Sequence, residues 1–432
     1  MVEKKEILKE RVIVVGIMFK SENVKDLEDS MDELEELVYA ANGEVVGRLT
    51  QAKERIEARS FIGKGKLEEL AEAVDNLYAD TVVFNDELSG AQIRNIEEAT
   101  NCKVIDRTGL ILDIFARRAV SREGKLQVEL AQYKYRLPRL TGFGVSLSRT
   151  GAGIGTRGAG ETKLETDKRH ILERITEINR QLKSLEQTRE VKRKQRLSSS
   201  MPIIALVGYT NAGKSTLSNK LAELDEDFED SRKVYTEDML FATLDTTLRK
   251  SKLSNGKSFL VTDTVGFVSK LPTQLIEAFK GTLEEVKYAD IIVHVMDLTN
   301  EKMELQKATT EKILNELKCE DKDSIIVYNK VDDVENLGKI LPKLEQDSIL
   351  ISAKTGKNID KLLEAIEKKL ENRYHNVKLL VPYTRGDLLS YFHEAGEIVE
   401  KEYVESGVEI KITLNTKEYN KYEEYIVEEY WF

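Results

Sequence analysis

The sequence predicts an α/β protein built around a doubly wound sheet. A small α/β domain with a long helical hairpin precedes that sheet, and a small α+β domain follows it. Three observations carry the prediction. The run Gly208-Tyr209-Thr210-Asn211-Ala212-Gly213-Lys214-Ser215 fits G-x-x-x-x-G-K-[ST], between the apolar run Ile203–Val207 and a helical stretch opening at Thr216. Apolar segments recur after it at Phe259–Thr262, Ile291–Met296, Ile325–Tyr328 and Ile349–Ser352, mostly separated by helical stretches, as right-handed crossovers require. Ahead of it, short β-branched runs alternate with amphipathic ones.

Taken in order, residues 1–120 read as an α/β domain. Strands are expected at Val12–Met18, Val45–Leu49, Thr81–Phe84 and Lys103–Ile105. Helical spacing of apolar residues marks Leu27–Ala40, Leu67–Leu77 and Ala91–Ala99. Residues 121–198 read as a hairpin: Leu126, Val128, Leu130, Tyr133 and Leu137 suggest a helix that stops near Pro138. A glycine-rich stretch follows, then a charged helix from Leu164 to Leu197. Residues 201–374 form the doubly wound domain, and 375–432 the α+β appendage, with a helix at Asp387–Ala395 and alternation at Val408–Leu414. Core packing is the expected role of its aromatics Tyr383, Phe392, Tyr403, Tyr425, Trp431 and Phe432.

Bulk properties narrow the function. At 432 residues there is room for several cores, and a net charge of −11 gives no global basic character. The two cysteines, Cys102 and Cys319, lack metal-ligand spacing and read as buried thiols of a reducing compartment. No apolar run approaches the roughly 20 residues of a membrane helix. Val12–Met18 reads as a first strand and not as a leader. A cytoplasmic monomer is expected.

The phosphate loop needs its glycines so that the backbone amides approach the anion, while the following helix adds positive potential at its N-terminus. Lys214 is expected at the β- and γ-phosphates, Ser215 at Mg²⁺, and Thr216 in the first turn behind them. Asn329-Lys330-Val331-Asp332 follows the fourth apolar run. A carboxylate at Asp332 accepts from both N1–H and the 2-amino group of guanine, a donor pair that adenine lacks. Asn329 is expected to tie this loop to the phosphate loop, and the Lys330 stem to cover the base. Ser352-Ala353-Lys354 offers backbone amides for the guanine O6. In Asp263-Thr264-Val265-Gly266, Asp263 would hold Mg²⁺ through water, and the Gly266 amide would bind the γ-phosphate. The order of these motifs implies GTP.

Phe241-Ala242-Thr243-Leu244-Asp245-Thr246-Thr247 occupies the place of the switch that completes the Mg²⁺ shell. Thr243 is the first choice by resemblance to related GTPases, and Thr246 and Thr247 remain open. Catalysis is thus assigned to Lys214, Thr243 and Gly266. After Gly266, where many GTPases place a water-orienting glutamine, stands Phe267, which makes no hydrogen bond to water; hydrolysis is therefore expected to be slow without a partner. Asn211 resembles the asparagine of potassium-activated GTPases, which suggests K⁺ beside the transferred phosphoryl; a purely structural role stays open.

No acidic residue occurs between Glu129 and Glu161, whereas Arg136, Arg139, Arg149 and Arg157 all lie there. Glycines with arginines suit close approach to a phosphate backbone, RNA above all.

Gly151-Ala152-Gly153-Ile154-Gly155-Thr156-Arg157-Gly158-Ala159-Gly160-Glu161-Thr162, ahead of such a domain, resembles the signature of the HflX family of translation-factor-related P-loop GTPases. Leu126–Tyr133, Phe241–Asp245 and Phe61-Ile62-Gly63-Lys64-Gly65-Lys66 fit the same family, over roughly residues 10–375. Ala159 departs from it, standing where many relatives carry proline. The resemblance implies a ribosome-associated GTPase that binds the large ribosomal subunit through its RNA. Its hairpin loop would reach the peptidyl-transferase region, and its role would be to split or rescue stalled or idle ribosomes under stress. An assembly or RNA-remodelling GTPase, and a GTP-dependent signalling or scaffold protein, are the alternatives.

Overall fold

The computed structural model describes residues 9–19, 23–140, 159–197, 201–225, 241, 247–269, 285–336, 344–345, 347–371, 374–395 and 398–430. The chain divides into two compact units. The first comprises Met1–Lys183 with Glu237–Asp245 and Gly266–Lys280; the second comprises Ser184–Thr236, Thr246–Val265 and Gly281–Phe432.

In the first unit β1 (Glu10–Phe19), β2 (Gly43–Lys53), β3 (Thr81–Phe84) and β4 (Lys103–Asp106) form a parallel sheet in the order β2-β1-β3-β4. Helix α1 (Val24–Ala40) buries Leu27, Met31, Leu34, Leu37 and Val38, the stripe that helical spacing predicts. Gly16 on β1 makes this packing possible, because a Cβ there would meet Met31 Sδ at 2.4 Å. On the other face α2 (Lys64–Leu77) and α3 (Gly90–Thr100) cover Ile13, Val15, Val82 and Phe84; a capping box between Ser89 and Gln92 starts α3. Asp106, the last residue of β4, caps α4 (Arg107–Arg118). The sequence pattern marks no separate helix here.

Helix α5 (Arg122–Arg139) begins at the Ser121 cap and ends one residue beyond Pro138, close to the predicted stop. Helix α6 (Ala159–Leu197) is 39 residues long. Arg174 on α6 forks onto Glu129 of α5 with N–O distances of 2.8 and 2.9 Å, and Ile178 is fully buried. The glycine-rich stretch between these helices lies outside the described residues.

The second unit contains a six-stranded sheet ordered β10-β9-β8-β5-β7-β6. Its strands are β5 (Ile203–Val207), β6 (Thr247–Lys252), β7 (Ser258–Asp263), β8 (Ile291–Asp297), β9 (Asp323–Asn329) and β10 (Ile349–Leu350). All pairs are parallel except β6 with β7. Helices α7 (Lys214–Ala222), α8 (Glu285–Tyr288), α9 (Met303–Glu316), α10 (Val331–Asn336) and α11 (Ile359–Glu371) accompany it. Leu206, Leu217, Val261, Val293, Val327, Leu362 and Ile366 share its main core.

A second, antiparallel sheet follows in the order β12-β13-β11-β14. It comprises β11 (Tyr374–Val381), β12 (Ile398–Val404), β13 (Gly407–Asn415) and β14 (Ile426–Glu429). Helices α12 (Gly386–Ala395) and α13 (Thr416–Lys421) complete this α+β part. Phe392 is fully buried, as expected, but Tyr383 and Tyr403 are 58% and 69% exposed. These two are corrected from core to surface: Tyr383 uses its hydroxyl to reach the Val404 carbonyl, and Tyr403 lies on an edge strand under the Lys401 ammonium. Trp431 and Phe432 lie outside the described residues.

Candidate nucleotide site

The phosphate loop runs from the end of β5 into α7. Gly208 has φ +147°, and a Cβ there would meet the Val295 carbonyl oxygen at 2.1 Å. Gly213 has φ +90°, and a Cβ there would strike Asn329 Nδ2, also at 2.1 Å. Both glycines are therefore required by space as well as by conformation. Asn211 between them has φ +61°. Lys214 folds back on the loop, its Nζ donating to the carbonyls of Gly208 at 3.0 Å and Tyr209 at 2.7 Å. Burial pushes the Lys214 pKa down to about 8, against the opposing pull of Asp263. Tyr209, Thr210 and Ala212 are buried; Ser215 and Thr216 are partly exposed in the first turn of α7.

Asp263 and Thr264 are fully buried at the end of β7. Asp263 pairs in register with Leu206, and the Thr264 hydroxyl donates to the Leu206 carbonyl at 2.8 Å, which holds this segment beside the phosphate loop. On β6, Arg249 donates to the Asn219 side chain of α7 and feels the charge of Asp263. Arg249 was not a sequence candidate. Its strand is edge-placed and charged, so no apolar alternation announces it.

One amide organises the base side. Asn329 Nδ2 donates to the Ala212 carbonyl at 2.9 Å, and Asn329 Oδ1 accepts from the Ala353 amide at 2.8 Å. The phosphate loop, the Asn329–Asp332 loop and the Ser352–Lys354 loop are thus fastened at a single side chain. Lys330, at φ +68°, places its Nζ 2.7 Å from Asp297 Oδ2. Asp332 is partly exposed in the first turn of α10, Ser352 and Ala353 are buried, and Lys354 is exposed. Asp297 was also missed, although its signal was present as a carboxylate at the C-terminal end of a parallel strand.

Other candidates belong to the first unit. Phe241, at φ +57°, packs edge-on against Phe115 with ring centroids 4.5 Å apart. Gly266 opens a segment in which Phe267 and Val268 are buried and Ser269 accepts from Arg107 Nη2 at 3.0 Å through its hydroxyl. Ala242, Thr243 and Thr246 lie outside the described residues, and Thr247 opens β6. Val265 is buried.

Of the four arginines expected at RNA, Arg149 and Arg157 lie outside the described residues and Arg136 is exposed. Arg139 is committed elsewhere: its Nη2 donates to the fully buried Asp106 at 2.9 Å, and its guanidinium lies 3.7 Å from the Tyr135 ring centroid.

Three family descriptions match consecutive parts of the chain. They are "GTP-binding GTPase N-terminal" over residues 28–116, "GTP-binding GTPase Middle Region" over 118–196 and "50S ribosome-binding GTPase" over 203–330. A GTPase HflX from Caldanaerobacter subterraneus subsp. tengcongensis is 50% identical over 412 residues, covering 95% of this chain and 92% of that protein. The chain belongs to the HflX family of GTPases. The HflX of Lacrimispora saccharolytica is 46% identical over 94% of both chains, and that of Escherichia coli 39% identical over 93% of this chain and 92% of its own. The protein is therefore a GTP-binding P-loop enzyme that hydrolyses GTP. Among the described residues no helix is long and apolar enough to cross a membrane.

Proposed function

We propose that this HflX GTPase binds the large ribosomal subunit through its RNA and splits or rescues stalled or idle ribosomes under stress. The observation that carries the reading is the acid-free, arginine- and glycine-rich segment between Glu129 and Glu161, which runs from the second half of one long helix to the start of the next. The match of residues 203–330 to a family described as a 50S ribosome-binding GTPase supports it. Residues 1–120, 121–198, 201–374 and 375–432 are its proposed domains, and a cytoplasmic monomer its proposed form.

In this reading the amides of Gly208–Ser215 and the Lys214 ammonium neutralise the phosphates, and Lys214 exchanges its two carbonyl partners for phosphate oxygens. Thr216 supports the α-phosphate end, and the Gly266 amide meets the γ-phosphate. Asp332 reads the guanine edge, the Lys330 stem covers its face, and Ala353 with Ser352 and Lys354 closes the O6 side. Phe241, Ala242, Thr264 and Val265 shape the walls. Ser215, Thr243 and Asp263 would hold Mg²⁺; two hydroxyls and a buried carboxylate are the hard oxygen donors that ion takes. When bound, the metal supplies positive charge at the β- and γ-oxygens. Asn211 is the proposed neighbour of a K⁺ ion. Phe267 cannot orient water, so the chain alone is slow and a partner completes the site.

Hydrolysis of GTP measured alone, with whole ribosomes and with purified large subunits, in KCl and in NaCl, tests the proposal. Stimulation by large subunits and loss of the whole-ribosome peak on sedimentation are expected, with faster turnover in KCl. No stimulation sinks the ribosome reading; stimulation without dissociation favours an assembly role; equal rates in both salts remove K⁺.

A further inference from the structure

Asp297 ends β8 directly opposite Asn329 in the parallel register and is only 8% exposed. Its Oδ1 accepts from the amide and the hydroxyl of Thr299, at 2.9 and 2.6 Å. Its Oδ2 meets Lys330 Nζ at 2.7 Å. The carboxylate is therefore fixed by its own turn and presents one oxygen to the lysine.

The backbone around that lysine is also fixed. The Asn329 carbonyl accepts from the Leu298 amide at 3.0 Å, and the Val331 amide donates to Ile351 at 3.1 Å. With the main chain held on both sides and Lys330 in the left-handed region, the direction of its long stem is the freedom that remains. A lysine stem has several rotatable bonds, and ordering them on ligand binding opposes affinity.

We propose that Asp297 is a positioning residue for the base: it holds the Lys330 ammonium so that the aliphatic stem forms a pre-set cover for the guanine face. The proposal rests on the reading that the Asn329–Asp332 loop recognises guanine. Asp297 acts through Lys330 and touches no edge of the base. It therefore governs how tightly a purine is held and leaves the choice between purines to Asp332.

Calorimetric binding of GDP and inosine diphosphate to the full chain tests this with Asp297→Asn, Lys330→Met and the double variant. Asp297→Asn is expected to weaken both nucleotides by the same factor, roughly ten-fold. In the Lys330→Met background it should add nothing, the non-additivity expected of two groups acting as one. Additive losses, an unchanged GDP affinity in Asp297→Asn, or a loss confined to GDP would each overturn the proposal. If melting curves show Asp297→Asn unfolded, Asp297→Ser takes its place, with the same equal loss expected for both nucleotides. The underlying reading fails separately. Asp332→Asn should shift preference to xanthosine diphosphate, because an amide donates to the C2 carbonyl; if it does not, guanine recognition falls whatever Asp297 does.

Discussion

His294 shows what one buried side chain in the nucleotide domain implies. It sits on β8 opposite Val207, 5% exposed, and its Nε2 makes no hydrogen bond among the described residues. Burial, helped by the charges of Lys307 and Lys214, pushes its pKa down from 6.5 to about 4. The folded protein thus keeps the ring neutral where the unfolded chain takes a proton. Stability is complete above about pH 6.5 and is lost as pH falls towards 4, by about 3 kcal/mol from this group. His294→Leu should flatten the fall of the urea midpoint across that window. Parallel pH curves for the two proteins would refute the assignment. The left-handed backbone at Lys330 is a second residue-scale expense, of about 1–2 kcal/mol for a residue with a Cβ. The two main-chain bonds beside it and the Asp297 pair hold it there.

Among elements, the base of the hairpin rests on one carboxylate. Asp106 accepts from the Leu88 and Gly109 amides, the Tyr135 hydroxyl and Arg139 Nη2, at 2.8–3.0 Å. It therefore joins β4, α4 and the last turns of α5 while fully buried. Burial, followed by the charge of Asp106, pushes the Tyr135 phenol well above its ordinary pKa, so it stays a donor throughout the physiological range. Removing the charge leaves the largely buried Arg139 without its counter-ion, a loss of about 3 kcal/mol or more. Asp106→Asn should accordingly speed hydrogen exchange at the amides of α4 and α5. Arg174→Met, which breaks the exposed pair with Glu129, should do so far less, because solvent and salt screen it. Equal effects would show that the buried carboxylate is not the anchor.

At the scale of the molecule, the proposed association with ribosomal RNA would carry a salt signature. Log affinity for large subunits should fall linearly with log salt concentration, and Arg149→Gln with Arg157→Gln should lower that slope by about 1.5. A flat response would point to a protein partner. Much of this organisation was legible in the sequence. The phosphate loop, Asp263 and Asn329–Asp332 lie in short contiguous runs whose chemistry fixes their spacing, and β1, β3, β5 and β8 each carry a run of mostly apolar residues. Other parts were not. Thr247–Lys252 carries three charges as an edge strand and gives no alternation. Asp297 reaches Lys330 only through the register of β8 with β9, and Arg139 meets Asp106 across 33 residues of chain. Such pairs arise from folding: local pattern can mark one member, as the strand end marks Asp297, but not its partner.

Helix α6, 39 residues long, extends about 58 Å at 1.5 Å per residue. Its first residue follows the glycine-rich segment, and from Ser184 onward it is counted with the nucleotide-binding unit. Over such a length an angular change of about 5° is a displacement of about 5 Å at the far end, so the Arg174–Glu129 fork and buried Ile178 matter for its course along α5.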